Sequence, residues 1–330
     1  MIKQIISNFS RFAAMPVFLC GFCAVFVNAQ NLQNPLPWIP PMVNITISGG
    51  VTNTRNLLSV GADGGYVDLY TMDDVSGRQR WVFQRIKDTN AYNILIGGGT
   101  PSNRKYLSVA SEGGKLDLSG SDDGKGNQQW YATFVGDNLW QIVNGGGPTA
   151  NQKYLSVSSD GSDVSLVRET DTSGRQLWRI NPLKGTKFNV RISGGISNSR
   201  AFLSVGADGS YTDLYAADDK SGRQRWIFQR STDGTSYNIL IGGGTPNARK
   251  FLSVASNGSK LDLSSSDDGS GRQRWLVEDI GAGLVRIRRF EGDKFKKSKY
   301  LSVAADGSIV DLYERDDNSG RQRWKIAEAR

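Results

Sequence analysis

The pattern Gln-x-Trp occurs six times in this chain of 330 residues, ending at Trp81, Trp130, Trp178, Trp226, Trp275 and Trp324. The separations are 49, 48, 48, 49 and 49 residues. A period this constant marks a repeat architecture, in which each unit buries its apolar face only against its neighbours. The chain therefore reads as six copies of one unit, and function is to be sought where the copies differ.

The first copy shows the unit's logic. Asn44–Ser48 alternates apolar and polar residues as a half-buried strand does, and Gly49-Gly50 ends it. A second strand is expected at Asn56–Val60 and a third at Tyr66–Tyr70, joined through Asp63-Gly64-Gly65, where Asp-Gly favours a turn. A fourth is expected at Arg78–Phe83. The period of two places Leu58, Val60, Val67 and Leu69 inward, with Ser59, Asp68 and Tyr70 on the outer face. Gln79 and Trp81 share one face, the indole suited to the core and the amide to turn backbone groups.

Units begin near Asn44, Tyr92, Leu139, Phe188, Tyr237 and Leu284. The run Tyr92–Pro101 recurs identically at Tyr237–Pro246, so the chain is a duplicated triplet offset by 145 residues. Three four-stranded units suit a pseudo-threefold barrel, whereas a six-bladed propeller is the competing geometry. The triplet hierarchy favours an all-β chain of two threefold domains, 44–184 and 185–330, with the joint at Asn181–Thr186.

The N-terminus carries Lys3 and Arg11, an apolar run Phe12–Val27 and a small-residue cleavage site at Val27-Asn28-Ala29. Residues 1–29 read as a secretory leader, followed by a proline-rich segment at 30–43. Secretion is expected, to the exterior or to a Gram-negative periplasm. Cys20 and Cys23 both fall in the leader, so residues 30–330 hold no disulfide or thiolate metal site. Histidine is absent from the chain, which removes His-based nucleophile activation and His-ligated zinc. The net charge of +8 falls to +6 without Lys3 and Arg11, and the charges are interleaved. A mixed-charge solvated surface follows, with neither nucleic acid nor membrane insertion expected.

The six motifs, Gln79/Trp81, Gln128/Trp130, Gln176/Trp178, Gln224/Trp226, Gln273/Trp275 and Gln322/Trp324, follow hydrophobic-x-Leu strands. This pattern resembles the ricin B-type lectin family of β-trefoils. The resemblance implies shallow sugar pockets on the outer side of single units. Each would have an aromatic ring at the end of the third strand, an acidic residue in the second strand, and polar groups near the Gln-x-Trp turn. The aromatic falls on Tyr70, Tyr215 and Tyr313; units two, three and five carry Ser119, Val167 and Ser264 there. Where the family places an aspartate in the second strand, this chain has Ser59, Ser204 and Ser302. Asp68, Asp213 and Asp311 stand beside the tyrosines and supply the carboxylate instead. A further departure is arginine ahead of the motif, at Arg78, Arg223 and Arg321.

The resemblance thus implies a non-catalytic lectin without cofactor or metal, whose partners are glycans or glycoproteins. A structural or protein-binding trefoil, acting as inhibitor or scaffold, is the alternative, with the tyrosines as packing residues. The acid pairs Asp73-Asp74, Asp122-Asp123, Asp218-Asp219, Asp267-Asp268 and Asp316-Asp317 invite comparison with the two carboxylates of glycoside hydrolysis. Their recurrence in five units before a Gly turn favours a turn-closing role. Asn44-Ile-Thr46 and Asn257-Gly-Ser259 are glycosylation sequons if the source is eukaryotic.

Overall fold

The computed structural model describes residues 36–110, 114–146, 153–231, 233–246, 248–255, 260–290 and 299–330. The leader at 1–29, residues 30–35 and the sequon at 257–259 lie outside the described residues. Every regular element among the described residues is a strand. Unit one holds four, Val43–Ile47, Leu57–Val60, Val67–Tyr70 and Trp81–Arg85, and the other five units repeat the set.

Pairing follows one rule. The fourth strand of a unit touches the first strand of the same unit at the tryptophan, as in Val43↔Trp81, Tyr92↔Trp130 and Trp140↔Trp178. It then runs antiparallel along the first strand of the next unit, as Trp81–Arg85 does along Tyr92–Ile96. After three units the rule closes on itself, because Trp178–Pro182 pairs back onto Val43–Ile47. The result is a ring of six strands. Units four to six form a second ring, closed by Trp324–Glu328 on Phe188–Ile192. The second and third strands of each unit form a hairpin, with Ser59 opposite Asp68 and Leu57 opposite Tyr70. This is a β-trefoil-like pattern, and closure after three units removes the six-bladed propeller.

The tryptophans explain why the period is so strict. Each of the six indoles is fully buried, and each donates from Nε1 to the carbonyl of a second-strand leucine 23 residues earlier, at 2.9–3.0 Å. The large apolar body fills the ring while its one polar atom is satisfied, which is what a buried indole requires. A shift of one residue between strand two and the motif would break that bond and turn the ring's core residues outward.

Two features depart from the sequence expectation. The fourth strand begins at Trp81, not Arg78, because residues 78–80 complete a turn closed by Arg80 N–H donating to Gly77 C=O. The proline-rich segment is also no mere spacer. Leu36–Pro37 pairs with Glu278 and Asp279, and Trp38 enters the core of units four to six, 4.9 Å from Phe228 and 5.6 Å from Tyr237.

Candidate functional site

The hairpin of strands two and three places the predicted site residues. Its burial alternates in unit one: Val67 and Leu69 are buried, Asp68 is half-buried, and Tyr70 is 40% exposed. Tyr215 and Tyr313 are 43% and 42% exposed. The three tyrosines and their aspartates therefore stand on the outer face, as the period of two requires.

The serines do not. Ser59, Ser204 and Ser302 are 2%, 1% and 2% exposed, against the outward placement expected from alternation. Each hydroxyl accepts a hydrogen bond from the motif glutamine, Gln79, Gln224 or Gln322, at 2.9–3.0 Å. Ser108, Ser156 and Ser253 do the same in the other units, including those without the tyrosine. The serine is thus a buried strut between the second strand and the Gln-x-Trp turn, not an outward-facing residue. The glutamine's Oε1 accepts in turn from the N–H five residues earlier, Asp74 in unit one.

The acid pairs are spent in the same turns. Asp73 Oδ1 accepts from Val75 N–H at 2.8 Å, and Asp74 Oδ1 from Ser76 N–H at 2.9 Å. Arg80 binds Asp73 at 2.8 Å and Arg78 binds Asp74 at 2.7 Å. Arg223 and Arg321 are likewise tied to Asp219 and Asp317. In five units an arginine ahead of the motif closes its own turn, and in unit two Asn127 donates to Asp123 in its place. Asp74 sits at about 2, held down first by the Ser76 hydroxyl, then by the Ser76 N–H and Arg78.

The outer aspartate behaves differently. Burial pushes Asp68 above its ordinary value, opposed by Arg55, the Ser59 hydroxyl and Arg78. Asp213 and Asp311 are raised for the same reason, opposed by the Ser204 hydroxyl, Arg200 and Arg223 in one case and by Arg321 and Lys299 in the other. Asp117 and Asp262, in units without the tyrosine, are raised too. In units one and four, Oδ1 of Asp68 and of Asp213 is buried with no hydrogen-bond partner. A buried acceptor left unpaired costs roughly 1–3 kcal/mol, which the fold carries in these two units.

A second aromatic, absent from the sequence expectation, completes these two units. Tyr66 and Tyr211 are 55% and 53% exposed, one alternation step before the third strand. Each ring lies on a glycine: a Cβ added at Gly61 or Gly206 would stand 2.4 Å from the ring's Cε1. The equivalent backbone positions are Ala110, Ser158, Ala255 and Ala304 in the other units, where the ring position holds Lys115, Asp163, Lys260 and Ile309. Extending the alternation one residue back from Val67, together with that glycine, marks the tyrosine in the sequence. Unit six therefore has Tyr313 and Asp311 without the second ring.

Two hollows lie apart from Tyr70, Tyr215 and Tyr313. One of about 390 Å³ in unit five is polar, lined by Arg249, Asp262, Ser264 and Arg272 among others. Another of about 190 Å³ is lined by Trp38, Phe134, Arg230, Tyr237 and Glu278 among others.

The sequence model of a family described as "Outer membrane protein assembly factor BamB" matches residues 117–325, well over half of the chain. By that match the chain belongs to this family. The matched span begins inside the third strand of unit two and crosses from one strand ring to the other, so it follows the repeat and not either closed ring. This is a different family from the lectins that the Gln-x-Trp pattern resembles. No curated protein sequence matches the chain.

Among solved structures, the chain is similar to a mosquitocidal holotoxin at 18% identity and TM-score 0.36, over 86% of this chain and 34% of that one. It is similar to a designed threefold-symmetric protein, ThreeFoil, at 20% identity and TM-score 0.34, over 43% of this chain and 99% of that one. The haemolytic lectin CEL-III matches at 18% identity and TM-score 0.32, over 88% of this chain and 64% of that one. The chain thus spans about a third of the holotoxin and just under two thirds of CEL-III. Likeness this loose leaves the fold resting on its own strand pairings.

Proposed function

We propose that this chain is a secreted, non-catalytic carbohydrate-binding protein of two tandem β-trefoils, residues 44–184 and 185–330, exported by the leader at 1–29. The observation that carries the reading is one juxtaposition, repeated at the 145-residue offset. In units one and four a half-buried aspartate stands on the same strand face as exposed tyrosine rings. A sugar presents an apolar ring face edged with hydroxyl donors. The tyrosine takes the face, and the aspartate accepts the hydroxyl.

Asp68 with Tyr70 and Asp213 with Tyr215 form the two main sites, and Asp311 with Tyr313 a reduced one. The serines act one layer below, holding the hairpin against the Gln-x-Trp turn. Single open sites of this kind bind weakly, and partners bearing several glycans would be held best. The test is glycan-array binding by the full chain beside the Tyr70→Ala/Tyr215→Ala/Tyr313→Ala variant. Binding that disappears in the folded variant supports the reading; binding that persists assigns the tyrosines to packing and sinks it.

A further inference from the structure

We propose that units one and four each bind a glycan chain across two rings, with Tyr66 and Tyr211 as a second stacking platform, rather than a single terminal sugar. The inference rests on the carbohydrate-binding reading above. Tyr66, Asp68 and Tyr70 are alternate residues on one face of an extended segment, with Val67 and Leu69 buried behind them. Tyr211, Asp213 and Tyr215 repeat the arrangement around buried Thr212 and Leu214. Four steps of a strand span about 13 Å, which is more than one sugar ring bridges. The order along the face is aromatic, carboxylate, aromatic. A linear oligosaccharide laid along the strand meets a ring at each end and the half-buried aspartate in the middle.

The outer rings are placed for this role in advance. Each is more than half exposed, yet seated on a glycine that leaves no room for even a methyl group between ring and backbone. Glycine and tyrosine occur together in these two units, and neither occurs at its position in the other four. A ring already fixed against the backbone loses little side-chain freedom when a ligand stacks on it. Had the ring served only to cover the hairpin, the lysines at 115 and 260 would not stand in its place while the same backbone turn persists. That turn is seen in Gly61 N–H donating to Tyr66 C=O and Ala110 N–H to Lys115 C=O.

The experiment uses the full chain and soluble mono- to tetrasaccharide series of galactose, mannose and N-acetylglucosamine, titrated by calorimetry. For the sugar that binds, affinity is expected to rise about tenfold between the monosaccharide and the trisaccharide, the scale of one added ring contact. Tyr66→Ala/Tyr211→Ala is expected to abolish that rise with chain length. Tyr66→Phe/Tyr211→Phe, which keeps the ring, is expected to restore it. Tyr70→Ala/Tyr215→Ala is expected to lose both the rise and monosaccharide affinity. Affinity independent of chain length in the wild type, or a rise that survives Tyr66→Ala/Tyr211→Ala, overturns the two-ring proposal while the lectin reading stands. Failure of the wild type to bind any member of the three series overturns both.

Discussion

At the scale of single residues, one hairpin divides its polar side chains between buried, satisfied positions and the outer face proposed to bind sugar. Ser59 and Gln79 are buried and satisfied by each other, whereas Asp68 is half-buried with one oxygen unsatisfied. The two kinds of residue should respond oppositely to substitution. Gln79→Leu strands the Ser59 hydroxyl and the Asp74 N–H, and is expected to cost about 1–3 kcal/mol without touching the outer face. Chemical denaturation with far-UV detection reads it directly. Asp68→Asn removes a charge that burial disfavours, and the half-exposed setting limits the gain to about 1 kcal/mol or less. Asp68→Asn/Asp213→Asn should therefore melt no lower than the wild type while losing glycan affinity, the trade that marks a functional residue. Lower stability in that variant would mean the carboxylates are structural. Alternation alone sorts these residues poorly: it puts Ser59 outward with Asp68, because a period of two describes direction and takes no account of the glutamine that covers the serine from the next turn.

At the scale of the element, the turn between strand three and the motif is where the copies carry strain unequally. Val75 has φ +68°, in the left-handed region, where a β-branched side chain is a true outlier. Unit two has Gly124 there, unit five Gly269 and unit six Asn318 at φ +63°, all easier occupants. Val75→Asn is expected to stabilise the chain by about 1 kcal/mol, raising Tm in calorimetry. An unchanged or lower Tm would show that the exposed valine gains something from its surroundings that the backbone geometry hides. The turns themselves are legible in the sequence, since Asp-Asp before Ser-Gly or Gly-x-Gly offers acceptors for N–H groups two residues on. The limits of the fourth strand are not. Arg78-Gln79-Arg80 continues the alternation of Trp81–Phe83, and only the hydrogen bond from Arg80 N–H to Gly77 C=O shows that the chain is still turning. Tyr66 escapes notice at the same scale: it lies outside the paired residues of its strand, and its significance depends on a glycine five residues earlier that only the folded hairpin brings against it.

At the scale of the molecule, the spacing of six tryptophans carries the architecture, because each indole must reach a leucine carbonyl 23 residues back and a strict register follows. What the spacing does not carry is the path of residues 36–38, where a single tryptophan joins a core that begins 150 residues later. The whole chain also sums its carboxylates into a pH response. Asp74, Asp268 and Asp317 sit at about 2, each held down chiefly by a serine hydroxyl, so their stabilisation is present above the usual value near 3.9 and lost as pH falls toward 2. Asp68, Asp213 and Asp311 are raised by burial, so their folded-state penalty is relieved as pH falls through their raised values. Tm should rise slightly on acidification from neutrality and then drop steadily below about pH 4, and Asp68→Asn/Asp213→Asn should reduce the rise, with Asp117, Asp262 and Asp311 keeping the rest of it, and leave the drop unchanged. The duplication sets the last expectation. In a Tyr313→Ala background, which leaves one complete site in each ring of strands, Tyr70→Ala should halve the calorimetric stoichiometry for a short soluble glycan while leaving the remaining site's Kd unchanged. On a surface dense in the same glycan, the two sites act together only if both are intact, so the variant should dissociate faster by a factor of about 10²–10⁴, provided the surface spacing lets both engage. Diluting the glycan on the surface should bring wild type and variant to the same rate. If the variant is retained as long as the wild type at high density, the two sites work independently, and the duplication serves stability rather than avidity.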